Sequence, residues 1–160
     1  MIQNFDRLLH RLADSGLEFV IVGGFAAVTH GSALVTRNLD ICVPLSYKTV
    51  EKLRAIPADW HPKHRMTPQK ISFLEFPTSD PVQNLYLETD FGVVHVRSSI
   101  LGVGDFNRLR SAAEALEIGG RTYQIISLDD LITAKEAVGR EKDLLAVKEL
   151  RAIKAKRTSD

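Results

Sequence analysis

The sequence predicts an α/β fold of the α+β kind, a mixed β-sheet flanked by helices with a C-terminal helical segment. Three observations predict it. An apolar strand from Leu17 to Val22 runs into Gly23-Gly24 and then into a short helical stretch. Apolar residues recur at helical spacing near both ends of the chain, with strand-like apolar runs between them. The length of 160 residues fits one domain with a substantial core. The expected organisation is a single domain over residues 1–160. Residues 1–100 would form its core, and residues 101–155 a helix–hairpin–helix extension of the same domain.

Each element follows from local chemistry. Phe5, Leu8, Leu9 and Leu12 form an amphipathic stripe, with Asn4 to cap its start and Gly16 to end it. Leu17 to Val22 is apolar apart from Glu18 and reads as a strand covered on both faces. Gly23-Gly24 turns the chain into a helix over 25–30. Leu39 to Val43 is a second strand, stopped by Pro44. Ser46 caps a third helix whose apolar side is Tyr47, Val50 and Leu53.

Residues 57–70 change character. Pro57, Pro62 and Pro68 break regular structure, and His61, Lys63, His64, Arg65 and Lys70 make the stretch basic. A mobile, solvated loop is the favoured reading, because runs of charge usually face water. A nucleic-acid contact beside Trp60 is the other. Ile71 to Phe76, Leu85 to Thr89 and Val93 to Val96 read as strands, with Asp90-Phe91-Gly92 as a turn. Gly102 and Gly104 open a linker. Phe106, Leu109, Ala113 and Leu116 line a helix, Gly119-Gly120 marks a hairpin, and Tyr123 to Ile126 returns as a strand. Ser127 and Asp130 start a helix carrying Leu131, Ile132 and Val138 that reaches Gly139. A last helix uses Leu144, Val147, Leu150 and Ile153 and is expected to fray from Lys154 onward.

Composition excludes several classes. Lys plus Arg is 21 against 20 Asp plus Glu, so charge gives no argument for nucleic acid or a membrane surface. An RNA partner stays open but is not indicated by charge. Cys42 is the only cysteine, so no internal disulfide can form. Between Ile41 and Val43 it reads as a small buried hydrophobe. The first residues lack a signal-peptide layout, and no apolar run approaches the roughly 20 residues that span a bilayer. A cytoplasmic protein with no membrane partner is the expectation.

The chemistry concentrates between residues 20 and 43. A strand, a tight glycine turn and a helix start present unpaired backbone N–H groups that favour phosphate. Gly23 and Gly24 also let a ligand approach the backbone closely. A simple turn is the competing reading. Metal-assisted phosphoryl transfer needs clustered carboxylates, and residues at i and i+2 of a strand share one side. Those positions hold Asn38 and Asp40. Asp40 could equally cap a turn or pair with Arg37. His95 sits between Val94 and Val96 and faces opposite to them. It is either a structural imidazole or, beside Asp40, a ligand for a softer metal.

These pieces, in this order, resemble the nucleotidyltransferase superfamily of DNA polymerase beta type. The nearer likeness is to its small bacterial members and to abortive-infection-type nucleotidyltransferase toxins. The family pattern is Gly-Gly or Gly-Ser after a strand, then Gly-x-x-Arg-x-Thr-x-Asp-x-Asp, then a third Asp on a later strand. Here the middle segment reads Gly31-Ser32-Ala33-Leu34-Val35-Thr36-Arg37-Asn38-Leu39-Asp40, and the later strand reads Gly92-Val93-Val94-His95-Val96. Gly119-Gly120, Ser127 to Ile132 and Lys135 to Asp143 also look like the family's C-terminal part.

The resemblance implies a nucleotide held by Gly23, Gly24, Thr36, Arg37, Lys135 and Arg140, with Asp143 fixing the last segment. It implies catalytic and metal-binding roles at positions 38, 40 and 95, with magnesium or manganese as cofactor and a nucleoside triphosphate as ligand or substrate. It also implies a helical or antitoxin-like protein partner. Three departures count against ordinary transfer. Leu34 replaces arginine, Asn38 the first aspartate and His95 the third. The site would carry about −1 where relatives carry about −3, and a metal ion would bind weakly. The expectation is a degenerate nucleotidyltransferase-like protein that binds a nucleotide or partner with weak or no transfer. The alternative is an active enzyme moving a nucleotidyl group from a triphosphate to RNA, protein or a small molecule.

Overall fold

The computed structural model describes residues 4–33, 35–75, 81 and 83–159. Helix α1 (Phe5–Asp14) begins where the Asn4 side chain accepts from the Arg7 N–H, and buries Leu8, Leu9 and Leu12. Strand β1 (Val20–Val22) leads into α2 (Gly23–Thr29), so the two glycines are the helix's first residues. The strand is shorter than expected. Strand β2 (Asn38–Cys42) is followed by α3 (Tyr47–Arg54), which Ser46 caps as expected. Tyr47 is exposed and does not join the apolar side.

The basic stretch is anchored to the sheet. A 3-10 turn over Ala58–Trp60 buries Trp60 completely, and β3 (Lys63–His64) pairs with β4 (Asn84–Thr89). A fully buried indole leaves no face on which a base could stack, so the nucleic-acid contact beside Trp60 falls away. Ile71 to Glu75 forms no strand. Ser72 makes a single bridge to Lys63, and Phe73 is buried in a turn. Phe76, the end of that expected strand, lies outside the described residues.

Strand β5 (Gly92–Arg97) precedes a small ribbon of β6 (Ser99–Ile100) and β7 (Gly104–Asp105), where a linker was expected. Helix α4 (Phe106–Ala112) stops before Leu116. Leu116 belongs instead to β8 (Glu114–Ile118), paired with β9 (Arg121–Ile125) across Gly119-Gly120. The hairpin captured a residue whose helical spacing was accidental, because sheet pairing overrides a local period. Helix α5 (Leu128–Val138) runs from the Ser127 cap to Gly139 in the left-handed region, and α6 (Glu141–Ser159) follows.

Helix α6 does not fray at Lys154. Lys154 Nζ lies 2.7 Å from Asp129, and Arg157 donates to His30 Nδ1 at 3.0 Å. Near the helix middle, Glu149 accepts from Ser32 Oγ and the Ala33 N–H. These ties offset the loss of the last intrahelical bonds.

The main sheet has the order β3-β4-β5-β2-β1-β9-β8. Strands β2/β5 and β1/β9 are parallel, and the other neighbours antiparallel. Alternation divides β2 and β5 into two faces. Leu39, Ile41, Val94 and Val96 are fully buried and share one core with Leu8, Leu9, Leu12 and Leu53. The other face carries Asn38, Asp40, His95 and Arg97.

Candidate functional site

Register builds the site. Asp40 stands opposite Val22 of β1 and opposite His95 of β5, and directly paired residues project to one face. One step along β5, Arg97 stands opposite Cys42 and shares that face with His95. On the far side of β5, Tyr86 opposes His95 and Asn84 opposes Arg97.

Asp40 and His95 do come together. His95 Nδ1 lies 3.3 Å from Asp40 Oδ1. The imidazole is only 3% exposed and stacks on Tyr86 with ring centroids 3.6 Å apart. Its Nε2 lies 3.1 Å from Asn84 Oδ1, and its Nδ1 lies 3.1 Å from Arg97 Nε. An amide oxygen only accepts and an arginine N–H only donates. The pattern therefore fits a ring with its proton on Nε2 and an accepting Nδ1. Arg97 completes the cluster, with Nη2 3.7 Å from Asp40 Oδ1.

Asn38 is placed differently. It shares the Asp40 face, but its Oδ1 faces Arg65 Nη1 at 3.4 Å. Thr36 donates to the Asn38 carbonyl oxygen at 2.9 Å and packs against Gly24. Arg37 is exposed beside it. Leu34 lies outside the described residues.

Gly23 touches the carboxylate directly. A Cβ built there would meet Asp40 Cβ and Cγ at 2.9 Å and collide with Oδ2. Its φ of +68° is also the left-handed region that favours glycine. The sequence left a phosphate cradle and a simple turn open, and in the structure glycine at 23 is what lets Asp40 come close.

A cavity of about 190 Å³ unites Gly23, Gly24, Asp40 and Arg97 with Lys135, Arg140 and Asp143 from the helical segment. Lys135 Nζ lies 3.8 Å from Asp143 Oδ1, and Arg140 Nε donates to Oδ2 at 2.7 Å. The Arg140 hydrogen bond, then the charges of Arg140 and Lys135, hold the Asp143 carboxyl below its ordinary range. Asp143 thus fixes both cations at the cavity wall. His95 and Asn38 do not line this cavity.

The donor set does not fit a pair of divalent ions. Among the described residues no three His, Cys, Asp or Glu side chains converge on one point. Asp143 is taken by Arg140 and Lys135, Asn38 faces Arg65, and the His95 nitrogens face Asn84 and Arg97. Three cations against two carboxylates around the cavity favour an anion over a metal.

Sequence reading missed Arg97. Its signal was available: it follows His95 at i+2 and so must share its side of the strand. Leu101 and Val138, exposed at the cavity's rim, had no local signal, because only the β6–β7 turn brings them to one wall.

A glycine-turned strand and helix, a carboxylate on the neighbouring strand and a basic helical wall define the class of fold. No known family profile and no curated protein matches the chain. Solved structures do. The lincosamide antibiotic adenylyltransferase LnuA, bound to lincomycin, is 14% identical over 95% of this chain and 98% of its own, with a TM-score of 0.59. The antibiotic-resistance factor ANT(2'')-Ia is 12% identical over 96% of this chain and 95% of its own, with a TM-score of 0.50. An antigenic nucleotidyltransferase-like protein from Paracoccidioides brasiliensis is 12% identical over 92% of this chain and 72% of its own, with a TM-score of 0.51. The chain has the nucleotidyltransferase fold. No helix among the described residues is long and apolar enough to cross a membrane.

Proposed function

We propose that this chain is a nucleotide-binding protein on the nucleotidyltransferase fold, with weak or no transfer activity. One observation carries the reading: Asp40 and the glycine turn share a small cavity with Arg97, Lys135 and Arg140. Its volume of about 190 Å³ is below the several hundred that house a whole drug-sized ligand. It suits a phosphate chain, with the nucleoside resting outside against Leu101 and Val138. Those rim residues are 66% and 46% exposed, an apolar surface for the face of a base.

In this reading the residues bind and orient. Lys135 and Arg140 attract phosphate oxygens, and Asp143 keeps both in place. Gly23 and Gly24 allow close approach to the backbone. The cavity offers one carboxylate not already held by two cations. Transition-state stabilisation in phosphoryl transfer rests on clustered charge and positioned donors, so this set gives little.

Calorimetric titration with each nucleoside triphosphate tests the reading. Binding that weakens about tenfold in Lys135→Ala is the expected result. Rapid transfer of label from a triphosphate to RNA, protein or a small molecule would overturn the inactive part of it.

A second reading has its own observation. LnuA has the fold over almost its whole length and is named an antibiotic adenylyltransferase. This chain would then transfer a nucleotidyl group to a small-molecule hydroxyl. Label transfer to lincomycin, lost in Asp40→Ala, would establish it.

A further inference from the structure

We propose that Arg97 is a built-in cation that takes over the charge role of a divalent ion at Asp40, so that the cavity accepts a polyphosphate chain without metal. This rests on the nucleotide-binding reading above and deepens it.

The argument starts from β5. The strand fixes Arg97 on the face of His95, and His95 cannot turn away. Tyr86 covers its ring and Asn84 holds Nε2. Arg97 Nε therefore meets a rigid acceptor at 3.1 Å. That bond aims the guanidinium head at Asp40, 3.7 Å from Nη2. Among the described residues its other N–H groups make no further hydrogen bond. The side chain is 38% exposed and lines the cavity, so those donors are available to a ligand.

A divalent ion at Asp40 would sit beside this guanidinium and be repelled by it, in a cavity already lined by Lys135 and Arg140. Phosphate reverses every sign. A guanidinium presents paired N–H groups that match phosphate oxygens. Asp40 then serves to orient Arg97, and His95 is a positioning residue behind it.

The test combines two readouts. Tripolyphosphate and ATP are titrated calorimetrically with EDTA and with magnesium, and manganese uptake is followed by electron paramagnetic resonance. The expected wild type binds both polyphosphates in EDTA, within about threefold of the magnesium value, and takes up no manganese. Arg97→Gln should lose about tenfold or more of the EDTA affinity. Arg97→Lys should keep most of the metal-free binding. Should Arg97→Gln fail to fold, the wild-type and Arg97→Lys titrations decide. ATP binding that requires magnesium overturns this inference and leaves the nucleotide reading standing. Unchanged EDTA affinity in Arg97→Gln also overturns it. No binding of either polyphosphate in either buffer overturns both.

Discussion

Gly23 meets two constraints at one residue. Its backbone is left-handed, and the Asp40 carboxylate fills the space of a side chain. Gly23→Ala should cost about 2–4 kcal/mol from backbone strain and overpacking. In an Asp40→Ala background the penalty should shrink, because Cγ and Oδ2 are gone. A urea-unfolding double-mutant cycle measures this, and strict additivity would separate the glycine from the carboxylate. Cys42 carries a second residue-scale prediction. Burial first, then the Asp105 carboxylate, pushes its thiol up to about 12, against a smaller opposing pull from Arg97. A raised pKa means the thiol form dominates everywhere below that value. At pH 8 a disulfide reagent should modify native Cys42 at a small fraction of the rate seen in urea. Equal rates would contradict its burial beside the site. The inert, buried cysteine was legible because its apolar neighbours are local in sequence. The Arg97–His95–Asp40 contact was only half legible, since strand pairing across 55 positions sets it and no local pattern encodes that register.

Elements were read well where their signals are local. Asn4, Ser46 and Ser127 cap α1, α3 and α5, and Gly139 ends α5, because each requirement lies within one turn of chain. Leu116 and the stretch from Ile71 were misread because pairing with another segment, and not their own periodicity, decides their state. The same contrast separates two tests. In the β6–β7 turn, Gly102 has φ +84°, and a Cβ there would sit 2.6 Å from Ala137 Cβ on α5. That close approach places Leu101 beside α5. Gly102→Ala should cost about 1–3 kcal/mol and loosen the cavity's apolar rim. Thermal unfolding with and without ATP would show it as a lower melting temperature and a smaller ligand-induced rise. At the start of α6, Asp143 has its carboxyl held low, chiefly by Arg140. A depressed folded pKa contributes stability above the unfolded value, lost as pH falls through the folded one. Stability should therefore hold from neutral to about pH 4 and decline below it. Asp143→Asn should start less stable at pH 7 and show a shallower acid decline. An unchanged acid limb would mean that other carboxylates set it.

At the scale of the whole molecule, the cavity has two walls from distant parts of the chain. The sheet supplies Asp40 and Arg97, and the α5–α6 segment supplies Lys135 and Arg140. Two long-range ties brace the second wall on the first, and a further bond relays one of them to the sheet. Glu149 holds Ser32 and Ala33, Arg157 reaches His30, and the His30 ring bonds the Ile126 carbonyl oxygen at the end of the sheet. A polyanion seated between these walls must draw on both, because neither wall alone has more than two cations at the cavity. Binding should then slow amide hydrogen exchange at residues 22–26, 95–101 and 135–143 together, since ligands stabilise every segment whose opening would break the site. Shortening the chain after Ile153 would remove the Arg157 tie and leave Lys135 and Arg140 intact. With the Glu149 ties still in place, the shortened chain should bind more weakly and show smaller, still joint, protection of 22–26 and 135–143. Protection confined to one wall of the full chain would show that the ligand sits on a surface and does not bridge the cavity.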